Sequence, residues 1–181
     1  MRYAFENNNS IETLDFPRLE NIGEQGMYSL INSSSSKLKS INFPKLTVIG
    51  KEGMYNSFSQ VRTNLTSVNF PELTKISQEG FYITFTNCYA LKECLLPKLT
   101  EIQDFGMGGS FQGCTALTKI SFPSLTFVGE KIFGDAAYNY TFSFSSLTEI
   151  HFPAAIKSTI EALTGYSDKW GATNATIYFD L

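Results

Sequence analysis

All six prolines of the chain stand in one register, and that register dictates the fold. Pro17, Pro44, Pro71, Pro97, Pro123 and Pro153 follow one another at intervals of 27, 27, 26, 26 and 30 residues. Periods of this length belong to stacked-repeat architectures, in which no unit can bury its own apolar edge. The flanking residues repeat with the prolines. Six before stand Ile11, Leu38, Leu65, Leu91, Leu117 and Leu147; three before stand Leu14, Ile41, Val68, Cys94, Ile120 and Ile150. One before stand Phe16, Phe43, Phe70, Leu96, Phe122 and Phe152. Two after come Leu19, Leu46, Leu73, Leu99 and Leu125, and five after come Ile22, Ile49, Ile76, Ile102 and Val128.

Two inward positions at a spacing of two mark a short strand, which proline ends by withholding its N–H. The second pair, such as Leu46 and Ile49, lines a return path, with Gly23, Gly50 and Gly129 where the chain turns back. The expectation is a β-rich solenoid of six coils with a parallel sheet on one face, roughly 25–30 Å long at one strand spacing per coil. The return leg repeats as Gly26-Met27-Tyr28, Gly53-Met54-Tyr55, Gly80-Phe81-Tyr82, Gly106-Met107-Gly108 and Ile132-Phe133-Gly134. Its Met/Phe column should be core, and a second column of Ile31, Phe58, Phe85 and Phe111 should close each coil. Phe5 precedes Asn8 as Phe85 precedes Cys88 and Phe111 precedes Cys114, so the first coil is expected to begin part-way through.

The repeat decays after Pro153, where Ala155 and Ser158 replace the expected Leu and Ile. This divides the chain into a solenoid over residues 1–156 and a cap over 157–181. Ser158-Thr159-Ile160-Glu161 has the pattern of a capping box, Ile160, Leu163 and Tyr166 an apolar helix face, and Gly165 its end. Trp170 is expected to plug the open end, and residues 175–181 to form a closing strand.

Resemblance to a family rests on Phe111-x-x-Cys114-Thr115-x-Leu117-Thr118-x-Ile120-x-Phe122-Pro123-x-Leu125-x-x-Val128-Gly129. This pattern, recurring over about residues 3 to 153, resembles the BspA-like leucine-rich repeat family. It departs from the family by extra residues at the Tyr-rich return and by loss of the Cys or Asn in copies two, three and six. The resemblance implies a right-handed, curved leucine-rich-repeat solenoid and a binding role at bacterial surfaces or in adhesion. It transfers no catalytic residues.

Formal charge is −3 and the pI about 5.2, so no basic field gathers phosphates and nucleic acid is set aside as a partner. No run of about 18 apolar residues offers a membrane span, and the start lacks the apolar core of a secretory signal. Cys88, Cys94 and Cys114 have no metal spacing. Cys94 occupies an inward apolar slot. Cys88 and Cys114 share one place in successive coils, which permits either a disulfide or a ladder of buried thiols.

Catalysis finds no constellation. The one histidine, His151, is expected at a solvated strand position, and there is neither a phosphate loop nor a metal cluster. No cofactor is expected. Binding fares better, because a solenoid aligns equivalent residues in columns. Outward on the strands run Thr13, Ser40, Ser67, Glu93, Lys119 and Glu149, and beside them Asp15, Asn42, Asn69, Leu95, Ser121 and His151. Small polar side chains on a rigid sheet can hydrogen-bond a peptide or sugar at little ordering cost; they can equally be ordinary solvated strand residues. Asn42 and Asn69 could form an amide ladder, and Glu93, Lys119 and Glu149 a cross-strand charge series. Tyr28, Tyr55 and Tyr82 form a further column, suited either to recognition or to sealing the convex side.

The expected function is a non-catalytic module that recognises a protein or glycan outside the cell or at its surface. The alternative is a spacer in a larger assembly, of phage origin, located in a virion. The first coil leaves room for end-to-end self-association or for a segment of a parent chain.

Overall fold

The structure, a computed structural model, describes residues 2–134 and 140–181. In chain order its elements are β1 (Thr13–Asp15), β2 (Asn21–Ile22), β3 (Ser40–Asn42), β4 (Val48–Ile49), β5 (Ser67–Asn69), β6 (Lys75–Ile76), β7 (Glu93–Leu95), β8 (Glu101–Ile102), β9 (Lys119–Ser121), β10 (Phe127–Val128), β11 (Glu149–Phe152), α1 (Lys157–Glu161) and β12 (Thr176–Phe179). They form a β-solenoid of about six turns. Every strand pair is parallel, and partners sit one repeat apart, as in Leu14 opposite Ile41 and Val68 opposite Cys94.

In the first four coils the first strand is outward–inward–outward, so β1, β3, β5 and β7 place Leu14, Ile41, Val68 and Cys94 in the core between exposed neighbours. Proline does more than stop this strand. In each of the first five coils the residue two beyond proline donates its N–H to the carbonyl of the residue before it, as Leu46 does to Phe43 at 3.3 Å and Leu125 to Phe122 at 3.2 Å. That is a β-turn with proline at its second position, where a preset φ suits the geometry.

Beyond the turn the sequence anticipates only an apolar return, yet the return is itself a sheet, ordered β10-β8-β6-β4-β2. Threonine at the third position past the proline ties this sheet together. Thr47, Thr74, Thr100 and Thr126 donate their hydroxyls to backbone carbonyls of the preceding coil at 3.0–3.2 Å. Gly50 sits where coils touch backbone to backbone; a Cβ there would lie 2.9 Å from the Ile22 carbonyl oxygen.

The remainder of each coil is a run of tight turns in which every fourth residue is left-handed: Glu52, Asn56 and Gln60 in one coil, Glu79, Ile83 and Asn87 in the next. A left-handed backbone costs an L-residue roughly 1–2 kcal/mol. Hydrogen bonds between coils hold it: Glu79, Ile83 and Asn87 donate to the carbonyls of Asp104, Gly108 and Gln112 at 3.1, 2.8 and 2.7 Å. Inside, Phe58, Phe85, Phe111 and Phe142 stack at 5.8–6.1 Å with planes within 13°. Beside them the buried hydroxyls of Ser57, Thr84, Ser110 and Thr141 donate to carbonyls of the preceding coil, so no polar group in the column is left unsatisfied.

The C-terminal end carries a short helix and a strand. β12 adds to β11 in parallel, and Trp170 is wholly buried, its ring centroid 4.8 Å from that of Phe133. Ile160 is buried, and Leu163 and Tyr166 pack against the same core. The capping box does not form. The chain runs from a 3-10 turn at Ala154–Ile156 directly into α1, Ser158 falls inside the helix, and the cap residue is Ile156 without a side-chain bond.

Candidate functional site

The outward columns fall where the periodicity puts them, but they differ in what they touch. At the N-terminal end, Ser40 Oγ donates to Thr13 Oγ1 at 3.1 Å and Asn42 Nδ2 to Asp15 Oδ1 at 2.8 Å. Asn42 therefore turns to Asp15, and the amide ladder with Asn69 is absent although the two residues are Cα partners.

At the C-terminal end, Lys119 Nζ lies 3.2 Å from Glu149 Oε2. His151 is not solvated; 7% of it is exposed. Its Nδ1 lies 2.9 Å from Asp180 Oδ1, its Nε2 3.1 Å from Glu149 Oε2, and its ring stacks on Tyr178 at 4.6 Å. The expected solvated position is corrected by the neighbours that the closing strand brings: β12 pairs with β11, its Tyr178 covers the ring, and Asp180, outside the repeat, takes Nδ1. His151 and then Lys119 hold the Glu149 carboxyl below the usual carboxylate range. A depressed carboxyl stabilises the fold above its ordinary value and loses that contribution as pH falls through the depressed value, so acid should weaken the β9–β11–β12 contacts. His151→Phe keeps the stack but removes both ring-nitrogen contacts; because the two carboxylates are about half exposed and stay solvated, the urea unfolding midpoint should fall only slightly.

Between these ends the outward face is unpartnered. Ser67, Asn69, Glu93 and Ser121 make no side-chain hydrogen bond or ion pair among the described residues, and Leu95 stands 48% exposed in a column otherwise polar. Glu93 in particular does not join Lys119, which is held by Glu149. The parallel ladder is also interrupted here. β1-β3-β5-β7 form one sheet and β9-β11-β12 another. The bonds flanking β1–β3, β5–β7 and β9–β11, such as Lys92 N–H to the Thr66 carbonyl and Thr148 N–H to the Thr118 carbonyl, have no counterpart between β7 and β9, nor between β3 and β5. Over the gap lies a cavity of about 510 Å³ whose walls include Leu95, Leu96, Ile120 and Pro97, with Lys92 and Glu93 at its rim. Ser124 Oγ donates to the Pro97 carbonyl at 2.7 Å, joining the two coils just past their prolines.

Tyr28, Tyr55 and Tyr82 are half-buried and stack on one another at 4.7 and 5.1 Å, with Tyr3 edge-on to Tyr28 at 5.7 Å. Their faces meet each other, so the column seals coil against coil. Burial pushes the Tyr55 hydroxyl up to about 12. Beyond Tyr82 the column ends, because a Cβ at Gly108 would lie 2.8 Å from its ring.

All three cysteines are free and buried. Cys88 Sγ donates to the Phe58 carbonyl and Cys114 Sγ to the Phe85 carbonyl, both at 3.2 Å, which resolves the open pair as a ladder of thiols. Burial pushes all three thiols up, that of Cys114 to about 12. Since the thiolate is the reactive form, none should react with iodoacetamide in the native chain, and all three should react once it is unfolded.

Among the described residues no three His, Cys, Asp or Glu side chains converge as a metal would require, and no helix is long and apolar enough to cross a membrane. Parallel strands in register, leucine columns turned inward and a polar strand face turned outward define a leucine-rich repeat solenoid. The chain belongs to the family of the BspA type leucine rich repeat region, whose profile matches it in six copies over residues 1–84 and 83–161. Its fold is similar to that in the crystal structure of the T. pallidum leucine rich repeat protein TpLRR, with a TM-score of 0.59 and 18% identity over 94% of this chain and 70% of that one. No curated protein sequence matches it.

Proposed function

We propose that this chain is a non-catalytic recognition module of a bacterial surface protein, taking a protein ligand on the outward face of the strands. The carrying observation is the division of that face: its two ends are self-paired, while Ser67, Asn69, Glu93, Leu95 and Ser121 in the middle are unpartnered beside a cavity. A rigid surface whose polar groups have no internal partner loses little conformational freedom on binding. Thr13, Asp15, Ser40, Asn42, Lys119, Glu149 and His151 then act as a supporting frame, and the tyrosine column as cement between coils.

The test is an array of extracellular-matrix proteins and surface glycans probed with the wild type and with Asn69→Trp. Asn69 makes no side-chain bond, so its replacement should leave the melting temperature unchanged while abolishing capture of a protein ligand. Loss of a glycan signal instead would move the ligand class to sugars. If wild type and variant behave alike on every spot, the spacer reading gains.

A further inference from the structure

The residue two beyond each stacked phenylalanine is left-handed: Gln60, Asn87, Gly113 and Phe144 follow Phe58, Phe85, Phe111 and Phe142, with φ of 68°, 60°, 73° and 57°. The first three are held there by the next coil, their N–H groups donating to the carbonyls of Thr86, Gln112 and Ser143 at 2.8, 2.7 and 2.8 Å. Phe144 has no such bond among the described residues, although Phe142 beside it still reaches the Trp170 carbonyl at 3.0 Å. A bulky side chain in this backbone region is an outlier, and here the ring is also 81% exposed. Neither cost is offset within the chain, which is the pattern of a residue kept for what it meets outside.

Where the bond is missing, a notch of about 320 Å³ opens between residues 143–147 and 171–174. Gly171 lets the two segments close at its floor, since a Cβ there would lie 2.5 Å from Ser143 Oγ. No charged side chain lines it. Ser143, Thr173 and Asn174 line it with side chains that make no hydrogen bond among the described residues, whereas Ser145 Oγ is taken by the Phe142 carbonyl at 2.7 Å. An ionic ligand would find no counter-charge here, and a purely apolar one would cover three polar side chains without replacing their bonds to water. A sugar ring meets both conditions. Its hydroxyls replace that water, and its C–H face, carrying partial positive charge, lies on the negative face of an aromatic ring. The volume is near the lower end of the roughly 300–1,000 Å³ of ligand pockets, which suits a single ring.

We infer that this notch binds a neutral sugar, stacked on the Phe144 ring and hydrogen-bonded through its hydroxyls to Ser143, Thr173 and Asn174. The site lies apart from the strand face and stands independently of the function proposed for that face.

The test is an array of neutral and sialylated oligosaccharides probed with the full chain and with Phe144→Gly, Asn174→Ala and Asn69→Trp, each capture then titrated with the free oligosaccharide. Wild type should capture neutral sugars, and half-saturation should rise at least about tenfold in Phe144→Gly, less in Asn174→Ala and not at all in Asn69→Trp. Glycine adopts the left-handed backbone freely, so Phe144→Gly should melt no lower than wild type while it loses the sugar. A lower melting temperature would make Phe144 a structural residue and overturn the inference. So would neutral-sugar capture that Phe144→Gly leaves unchanged, a preference for sialylated glycans, or no capture by the wild type. If Phe144→Gly abolished capture of a matrix protein and of no sugar, the occupant would be a protein and the inference would again fall.

Discussion

Trp170→Ala is expected to destabilise the chain by about 3–5 kcal/mol, the cost of removing a buried large aromatic side chain, and to do so from one end. Trp170 is fully buried, meets the rings of Phe133, Phe152 and Tyr166 at 4.8, 6.2 and 5.9 Å, and donates its indole N–H to the Thr164 carbonyl at 2.9 Å. Its own carbonyl accepts the Phe142 N–H at 3.0 Å, tying the cap to the last rung of the phenylalanine stack. In a solenoid, stability is close to a sum of neighbour interfaces. Hydrogen exchange of the variant should therefore lose protection around Phe142 and Phe152 while residues near Leu38 and Phe70 keep theirs. Uniform loss along the chain would contradict a cap that acts locally.

The second large effect is expected in the middle. Phe85 stacks on Phe58 at 5.8 Å and on Phe111 at 5.9 Å, and meets Phe81 edge-on at 5.8 Å. Phe85→Ala should again cost about 3–5 kcal/mol, but it cuts the interface on which both halves lean. The chain has a single tryptophan, Trp170, at the C-terminal end. Unfolding followed by its fluorescence and by far-ultraviolet circular dichroism should coincide in the wild type and separate in Phe85→Ala, because the two halves then unfold independently. Coincident curves in the variant would show that coupling between coils does not run through this stack.

These two residues mark what the sequence makes legible. Inward columns such as Phe58, Phe85 and Phe111 repeat because every coil faces the same neighbours, so their burial follows from the period alone. Trp170 stands outside the period, yet its size and its place after the decay of the repeat point to the plug it forms. The turn at each proline was less visible, since a missing N–H suggests an ending while the fixed φ equally suits the second position of a β-turn. The threonines after Leu46, Leu73, Leu99 and Leu125 do repeat, and that polar column is the visible trace of their hydroxyl ladder.

What does not repeat was hidden. His151 owes its burial to Asp180 and Tyr178, which belong to no coil. The break in the ladder beside β7 is a matter of backbone pairing, which leaves no letter in the sequence. Leu95, an apolar residue in the column of Asp15, Asn42, Asn69, Ser121 and His151, was its one visible sign.

On the proposed function, the middle of the strand face is the surface that receives a ligand. Hydrogen–deuterium exchange of the chain with and without a captured protein ligand tests it most directly. Protection should appear over residues 92–96 and 118–122, on either side of the gap, with the tyrosine column unchanged. Protection centred on Tyr28, Tyr55 and Tyr82, with residues 92–96 and 118–122 unaffected, would contradict it.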